Sequence, residues 1–482
     1  MTLPAPLAAL PAPELALCVG LGAILLADLV PALVARRVAP WLGLAACAAA
    51  GVCLAVAPGD GAGMFAVDAI GRLARGLILA LLALQLLAAA GDRRPARDVG
   101  VLAAALVALA LGAGVTAAAS HALPLWLGLE LVALSSYALV ACGGGDRRAA
   151  EAGMKFVLFG GVASAAMLFG LGHLYGATGS LDFASIGSGL AAASAAAVAP
   201  ALLLAAAGIA YKLALVPLHG YAPDVYQGAP PLAVAAVSTL PKVAAAAALV
   251  RALQFVVPPA VAAPAALAAG LALVAATSLL FASFTALVQR CARRILAFSG
   301  IGHGAAVVLA AACAPQRAAV AAIAFYLLAY TAANTGALVC LALLERGPRG
   351  SDLAALAGSG RRRPWVAALL CLFVASLAGV PPLAGFLGKW GVLRLAFADL
   401  GAPALLAAAF AFVAATAIAA WSYLLIVRAV LFAGDSGPTD PREAAPLPVP
   451  LPTAVVLLLC AAATCGLGLW LDGFTAFAAV GP

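Results

Sequence analysis

The sequence predicts an all-α, multi-pass membrane protein, and three observations carry that prediction. Two thirds of the 482 residues (66%) are hydrophobic. Only 9% are charged, against roughly 25% in an ordinary soluble domain. The apolar residues fall in runs long enough to cross a bilayer as helices, without the alternation of outer-membrane strands. A soluble fold of this length needs a charged shell, which 26 basic and 18 acidic residues do not supply. A cytosolic enzyme, a nucleic-acid binder and a disordered chain are therefore excluded. The net charge of +8 implies no nucleic-acid partner, because the basic residues cluster in short loops where membrane topology accounts for them. Ten cysteines are scattered without a CxxC pair and read as small core residues, not as disulfides, metal ligands or cluster ligands. The start, MTLPAPLAALPAPELAL, lacks a basic n-region, so no cleavable signal peptide is expected.

A helix needs about 20 apolar residues to cross the hydrocarbon core. Fourteen stretches qualify, near 14–34, 38–57, 69–90, 99–119, 122–142, 152–176, 190–216, 231–252, 260–287, 295–313, 318–344, 364–393, 402–427 and 449–471. Arginine placement agrees with this alternation. The loops after odd-numbered stretches carry 17 arginines, and the opposite side carries five, namely Arg72, Arg75, Arg251, Arg317 and Arg394. The positive-inside rule then puts the odd loops in the cytoplasm and both termini on the periplasmic side of a bacterial inner membrane. The chain divides into three N-terminal helices (1–98), two five-helix units (99–255 and 256–432) and a C-terminal loop with the last helix (433–482).

All four lysines lie inside or at the edge of apolar stretches: Lys155, Lys212, Lys242 and Lys389. A charge at bilayer depth costs at least about 2.5–3.5 kcal/mol on insertion scales, so Lys212, Lys242 and Lys389 need a compensating role. Guanidinium holds its proton under all relevant conditions, whereas a buried ammonium can lose its own, and a nearby carboxylate restores the affinity. Glu130, in PLWLGLELVALSSYAL, is the acidic residue placed deep in a span. It is expected to pair with Lys212 as a proton site whose affinity depends on distance. Lys155, four residues after Glu151, reads as an interfacial residue reaching the cytoplasmic headgroups. A structural alternative, in which buried ion pairs only fix helix packing, stands beside the proton reading.

Two spans are expected to be discontinuous. Pro217 and Pro223 follow Lys212 in YKLALVPLHGYAPDVYQGAPP, and Pro381 and Pro382 precede Lys389 in GVPPLAGFLGKWG. Proline removes a backbone donor and clashes with the preceding turn. Such backbone is tolerated at membrane depth only where protein or a water-filled cavity surrounds it. The breaks fall in helices seven and twelve, five apart, so helices 4–8 and 9–13 are expected to be repeats of inverted topology. His219 lies beside the first break and His303 within helix ten; both are candidate relays because imidazole titrates near neutrality.

Four segments carry a family resemblance. The first joins Tyr211-Lys212-Leu213, Val216-Pro217, His219, Pro223-Asp224-Val225-Tyr226 and Gly228-Ala229-Pro230. The second joins Leu377-Ala378-Gly379-Val380-Pro381-Pro382, Gly385-Phe386 and Gly388-Lys389. The third runs from Glu151 and Lys155 to Leu174-Tyr175-Gly176-Ala177-Thr178-Gly179, and the fourth is Arg293 to Ser299 with His303. In order and spacing they resemble the antiporter-like membrane subunits of bacterial NADH–quinone oxidoreductase (complex I), subunit N above all, over about residues 125–395. Lysine at 389, where subunit M usually has glutamate, favours subunit N. The chain departs from the family at Arg293-Arg294 (often Lys-Arg), Phe298-Ser299-Gly300 (often Tyr-Ser-Ser), Lys155-Phe156 (commonly Lys-Tyr) and Pro241 before Lys242.

The resemblance implies a proton-translocating subunit of a translocase, with Glu130, Lys212, Lys242 and Lys389 carrying the proton. It implies no redox centre in this chain, with NADH, flavin, iron–sulfur clusters and quinone on partner subunits. Its partners would be other membrane subunits, including a neighbouring antiporter-like one, and the lipid bilayer. The alternatives are a multisubunit cation/proton antiporter, a membrane-bound hydrogenase, and a structural anchor.

Overall fold

A computed structural model describes residues 10–35, 37–56, 63–66, 68–141, 147–190, 195–256, 264–313, 317–345, 350–398, 401–432 and 448–470. Arg36, Arg346, Arg349, Arg442 and most of the 433–448 loop lie outside the described residues. The helices are, in order, α1 (Ala12–Asp28), α2 (Pro31–Ala35), α3 (Ala39–Val56), α4 (Ala69–Ala90), α5 (Ala96–Ala118), α6 (Ala122–Ala141), α7 (Arg147–Thr178), α8 (Phe183–Leu190), α9 (Ala195–Lys212) and α10 (Ala222–Gly228). There follow α11 (Pro231–Arg251) with a π-helical turn (Ala252–Val256), α12 (Pro264–Leu287), α13 (Ala292–Ala312), α14 (Arg317–Leu344), α15 (Ser359–Arg362), α16 (Pro364–Ala378), α17 (Ala384–Ala398), α18 (Pro403–Leu431) and α19 (Leu451–Leu469). No β-strand occurs among the described residues, only isolated bridges.

Local sequence sets the helix starts. Prolines occupy the first turn of α11, α16, α18 and α19, where the missing donor is harmless and φ is already helical. Asp68 caps α4, accepting a hydrogen bond from the Gly71 amide at 2.7 Å. Eleven helices among the described residues are long and apolar enough to cross a membrane. Three expected stretches are not among them. The stretch 14–34 is divided between α1 and α2, 190–216 is described only in part and ends its helix at Lys212, and 364–393 is divided at Pro381-Pro382 between α16 and α17.

Small residues let the helices close on one another, as they must where lipid supplies no hydrophobic drive. At the α5–α6 crossing a Cβ on Gly112 would meet the Gly128 carbonyl at 2.8 Å, and one on Gly128 would meet the Gly112 carbonyl at 2.9 Å. α1, α3 and α4 pack together and against α5. α11 lies at the centre, buried from Ala233 to Arg251, and touches α4, α5, α6, α9, α13 and α14.

Helices α5–α11 and α12–α18 pack alike. α5 lies along α6 as α12 lies along α13, and α7 packs on α9 as α14 packs on α16 and α17. Two bridges match as well. His121 pairs with Asp182 and Cys291 with Asp352 at the same sequence separation. Each is closed by equivalent bonds: Ala122 N–H to Leu181 O (2.8 Å) and Phe183 N–H to Ser120 O (3.1 Å), against Ala292 N–H to Ser351 O (2.8 Å) and Leu353 N–H to Arg290 O (2.9 Å).

Candidate functional site

The first break positions Lys212. α9 stops at this residue, and Ala214 then takes a left-handed conformation (φ 58°). The freed backbone is met by neighbours: the Val216 amide donates to Ser278 Oγ on α12 at 3.1 Å. Gly304 of α13 leaves room for the Leu213 carbonyl, which would lie 2.1 Å from a Cβ placed there. Lys212 is thereby held 7% exposed and shares a cavity with Leu129, Glu130, Tyr137, Gly160, Ser164 and Tyr211.

Glu130 and Lys212 line this cavity together, but no ion pair joins them among the described residues. Trp126 Nε1 donates to Ser164 Oγ at 3.2 Å, and Ser164 Oγ donates to Glu130 Oε1. Among the described residues, Lys212 Nζ has no hydrogen-bond partner. It lies 5.4 Å from the Tyr211 ring and 6.0 Å from the Tyr137 ring, within the range of cation–π attraction. The two side chains thus share one small cavity without a direct bond between them.

Lys242 and Lys389 flank His303. Lys242 lies on α11, 4% exposed, one turn beyond Ser238. Ser238 Oγ accepts from Asn334 Nδ2 at 2.7 Å and its carbonyl accepts from Tyr330 OH at 3.2 Å. The Tyr330 ring packs against His303 with centroids 4.5 Å apart, and His303 Nδ1 is 2.7 Å from Tyr326 OH. Lys242 and Lys389 both act electrostatically on His303. The second break seats Lys389. Gly379 ends α16 with φ 89°, Lys389 Nζ donates to the Ala378 carbonyl at 3.0 Å, and a Cβ on Gly379 would come within 3.0 Å of Lys389 Cδ. Lys389, His303, Tyr326, Ser299, Ser422 and Tyr423 line a second cavity.

His219 lines neither cavity; it packs edge-on against Phe281 at 4.6 Å. Lys155 does not simply reach toward headgroups. It bonds Asp224 at 2.8 Å and Glu151 at 2.9 Å, because the first break brings α10 against the start of α7. Arg294 of α13 joins the same Asp224 at 2.7 Å. Partial burial pushes the Asp224 carboxyl up, but its bonds with Lys155 and Arg294 outweigh this and hold it below the usual carboxylate range. Nearby, Arg293 pairs with Glu345 at 3.1 Å.

Sequence reading did not single out Ser164, Ser238, Tyr326 or Tyr330. A signal for the tyrosines was present. Tyrosine in membrane proteins favours the interface belts, yet six of the eight tyrosines here are buried. No group of three or more His, Cys, Asp or Glu arranged to hold a metal occurs among the described residues.

Known proteins share this arrangement of helices. Residues 119–419 match the family described as NADH:quinone oxidoreductase/Mrp antiporter, transmembrane. The chain is 34% identical over 449 residues to NADH-quinone oxidoreductase subunit N of an Anaeromyxobacter species, covering 87% of this chain and 86% of that one. It is 36% identical over 461 residues to subunit N of Desulfovibrio desulfuricans, covering 89% of each. Among solved structures it is similar to a chain of respiratory complex I from Thermus thermophilus with bound aureothin. The TM-score is 0.80 at 29% identity, over 98% of this chain and 100% of that chain.

Proposed function

Because the chain belongs to the NADH:quinone oxidoreductase/Mrp antiporter transmembrane family, we propose that it is a proton-translocating membrane-arm subunit of an NADH–quinone oxidoreductase. The observation that carries the proposal is the set of buried amines, Lys212, Lys242 and Lys389, each within or beside an apolar run. The hydroxyls of Ser238, Tyr330 and Tyr326 and the imidazole of His303 are groups able to pass a proton from Lys242 toward Lys389. Buried cations of this kind mark ion and proton pathways by default.

Lys212 keeps its proton while Glu130 is charged nearby. A charge change arriving from the quinone-reducing end alters that interaction and lowers the proton affinity of Lys212. The proton moves through water and hydroxyls to Lys242, then past His303 to Lys389, and leaves on the periplasmic side. His219, outside both cavities, plays at most a peripheral part. NADH, flavin, iron–sulfur clusters and quinone belong to partner subunits, one of them a neighbouring antiporter-like subunit.

We count α9 with α10, and α16 with α17, as one crossing each. With α1, that makes fourteen crossings in a bacterial inner membrane, with both termini periplasmic and units at 1–98, 99–255, 256–432 and 433–482. The like packing of the two five-helix units and their matching bridges support an inverted repeat.

The test is the proton-to-electron ratio of the assembled complex in sealed vesicles. Lys242→Ala and Glu130→Gln should abolish this subunit's share of pumping while the complex still assembles. An assembled Lys242→Ala complex that pumps at the normal ratio removes Lys242 from the route.

A further inference from the structure

An aromatic stack separates Lys212 from the arginine-rich end of the molecule. Along α7, Lys155 is followed by Phe156, and Gly160 already lines the Lys212 cavity. Phe156 stacks on Tyr221 with centroids 4.8 Å apart and planes at 16°. Tyr221 packs on Tyr211 at 4.5 Å, and Tyr137 meets Phe156 edge-on at 4.9 Å. Two hydrogen bonds fasten the stack to the backbone: Tyr211 OH to Phe156 O and Tyr221 OH to Tyr211 O, both 2.9 Å. Phe156, Tyr211 and Tyr221 are buried. The stack thus lines this stretch of α7 with aromatic faces whose two tyrosine hydroxyls, those of Tyr211 and Tyr221, are already bonded.

The stack joins two pieces of the chain. Phe156 belongs to α7, whereas Tyr221 lies in the break and leads into the seven-residue α10. A charged network bridges these pieces immediately beside the rings. Lys155, next to Phe156, pairs with Asp224, three residues after Tyr221. Arg294 of α13 pairs with the other Asp224 oxygen at 2.7 Å and reaches Gln227 at 3.1 Å. Gln289 in turn accepts from Arg294 Nε at 3.0 Å. A single half-exposed ion pair contributes little; here two cations from different helices converge on one carboxylate.

We propose that Asp224 is a positioning residue: it latches α10 to α7 and α13, and so keeps the Phe156–Tyr221 stack closed over the approach to Lys212. Breaking the latch frees α10 and lets water enter between the rings, so Lys212 exchanges protons with the arginine-rich side at the wrong moment. This rests on the proton-carrying role proposed above for Lys212.

The experiment uses the intact complex in sealed vesicles and reads two quantities per assembled complex: the proton-to-electron ratio, and the passive proton leak under an imposed pH gradient without NADH. Asp224→Asn should raise the leak several-fold and lower the ratio, and Asp224→Glu should restore both. A purely structural role would reduce the amount assembled without changing either quantity. If Asp224→Asn does not assemble, Lys155→Met cuts one arm of the latch and Phe156→Ala opens the stack without touching charge; both should leak. Wild-type leak and ratio in the assembled variants overturn the latch. Lys242→Ala, run alongside, separates the two ideas. If it stops pumping while Asp224→Asn behaves as wild type, only the latch fails; if neither changes pumping, the proton-carrying role fails first.

Discussion

Gly304→Ala tests whether the first break is held by α13. A Cβ at this position stands 2.1 Å from the Leu213 carbonyl oxygen, while ordinary contact begins near 3.4 Å. The obstacle is backbone, in the residue that follows Lys212, so no rotamer change relieves it. Either α13 or the break must move by more than about 1 Å. Overpacking of this kind costs about 1–3 kcal/mol, and the movement falls on the Lys212 cavity. Gly302→Ala is the internal control, because on the same helix a Cβ there meets nothing within 4 Å. The assay is thermal retention of this chain in the detergent-solubilised complex, followed by the proton-to-electron ratio of the survivors. Gly304→Ala should be lost at lower temperature and pump less, with Gly302→Ala at the wild-type midpoint. Identical melting of the two variants would refute the idea that α13 buttresses the break.

Two further outcomes can be checked. At the second break, Gly379→Ala must place a side chain at φ 89° and within 3.0 Å of Lys389 Cδ. A left-handed residue costs roughly 1–2 kcal/mol, so the variant should lose both stability and pumping, and retention of both would detach Gly379 from the seating of Lys389. At the edge of α14, burial pushes the Glu345 carboxyl up to about 7, outweighing the attraction of Arg293. The folded chain then holds a proton that the unfolded chain releases near 4.5, so this group's contribution to stability falls as pH rises from about 4.5 to about 7. Infrared difference spectra should show a protonated carboxyl band that disappears near pH 7 and is absent in Glu345→Gln; an unchanged band in that variant assigns it elsewhere.

The spans, the breaks and the amines were legible because each violates a rule of the bilayer. A proline pair or an ammonium inside an apolar run stands out from the sequence alone. The pairing of Glu130 with Lys212 was legible only as proximity. Residues eighty positions apart can be assigned to facing helices, but whether a third side chain intervenes depends on rotation about each axis. Here Ser164, on α7, takes the carboxylate. Lys155 illustrates the same limit. Its place at the end of a span reads as a headgroup contact, whereas it bonds Glu151 and Asp224, and Asp224 became a neighbour only through the path of the broken backbone.

The hydroxyls between Lys242 and Lys389 were invisible for a further reason. Serine and tyrosine carry no formal charge, so one of them inside a span breaks no strong rule, and many such side chains simply bond the carbonyl four residues back. Thr116 and Ser136 do so here. What sets Tyr330 and Asn334 apart is that both reach Ser238, on another helix, one turn from a buried lysine. A proton route between helices needs contacts of this crossing kind, because a hydroxyl with no polar neighbour on another helix has nothing there to exchange a proton with. Crossing bonds are set by helix rotation and register, which are tertiary quantities. The chain therefore declares where its charges reside, and only the packing shows how they are connected.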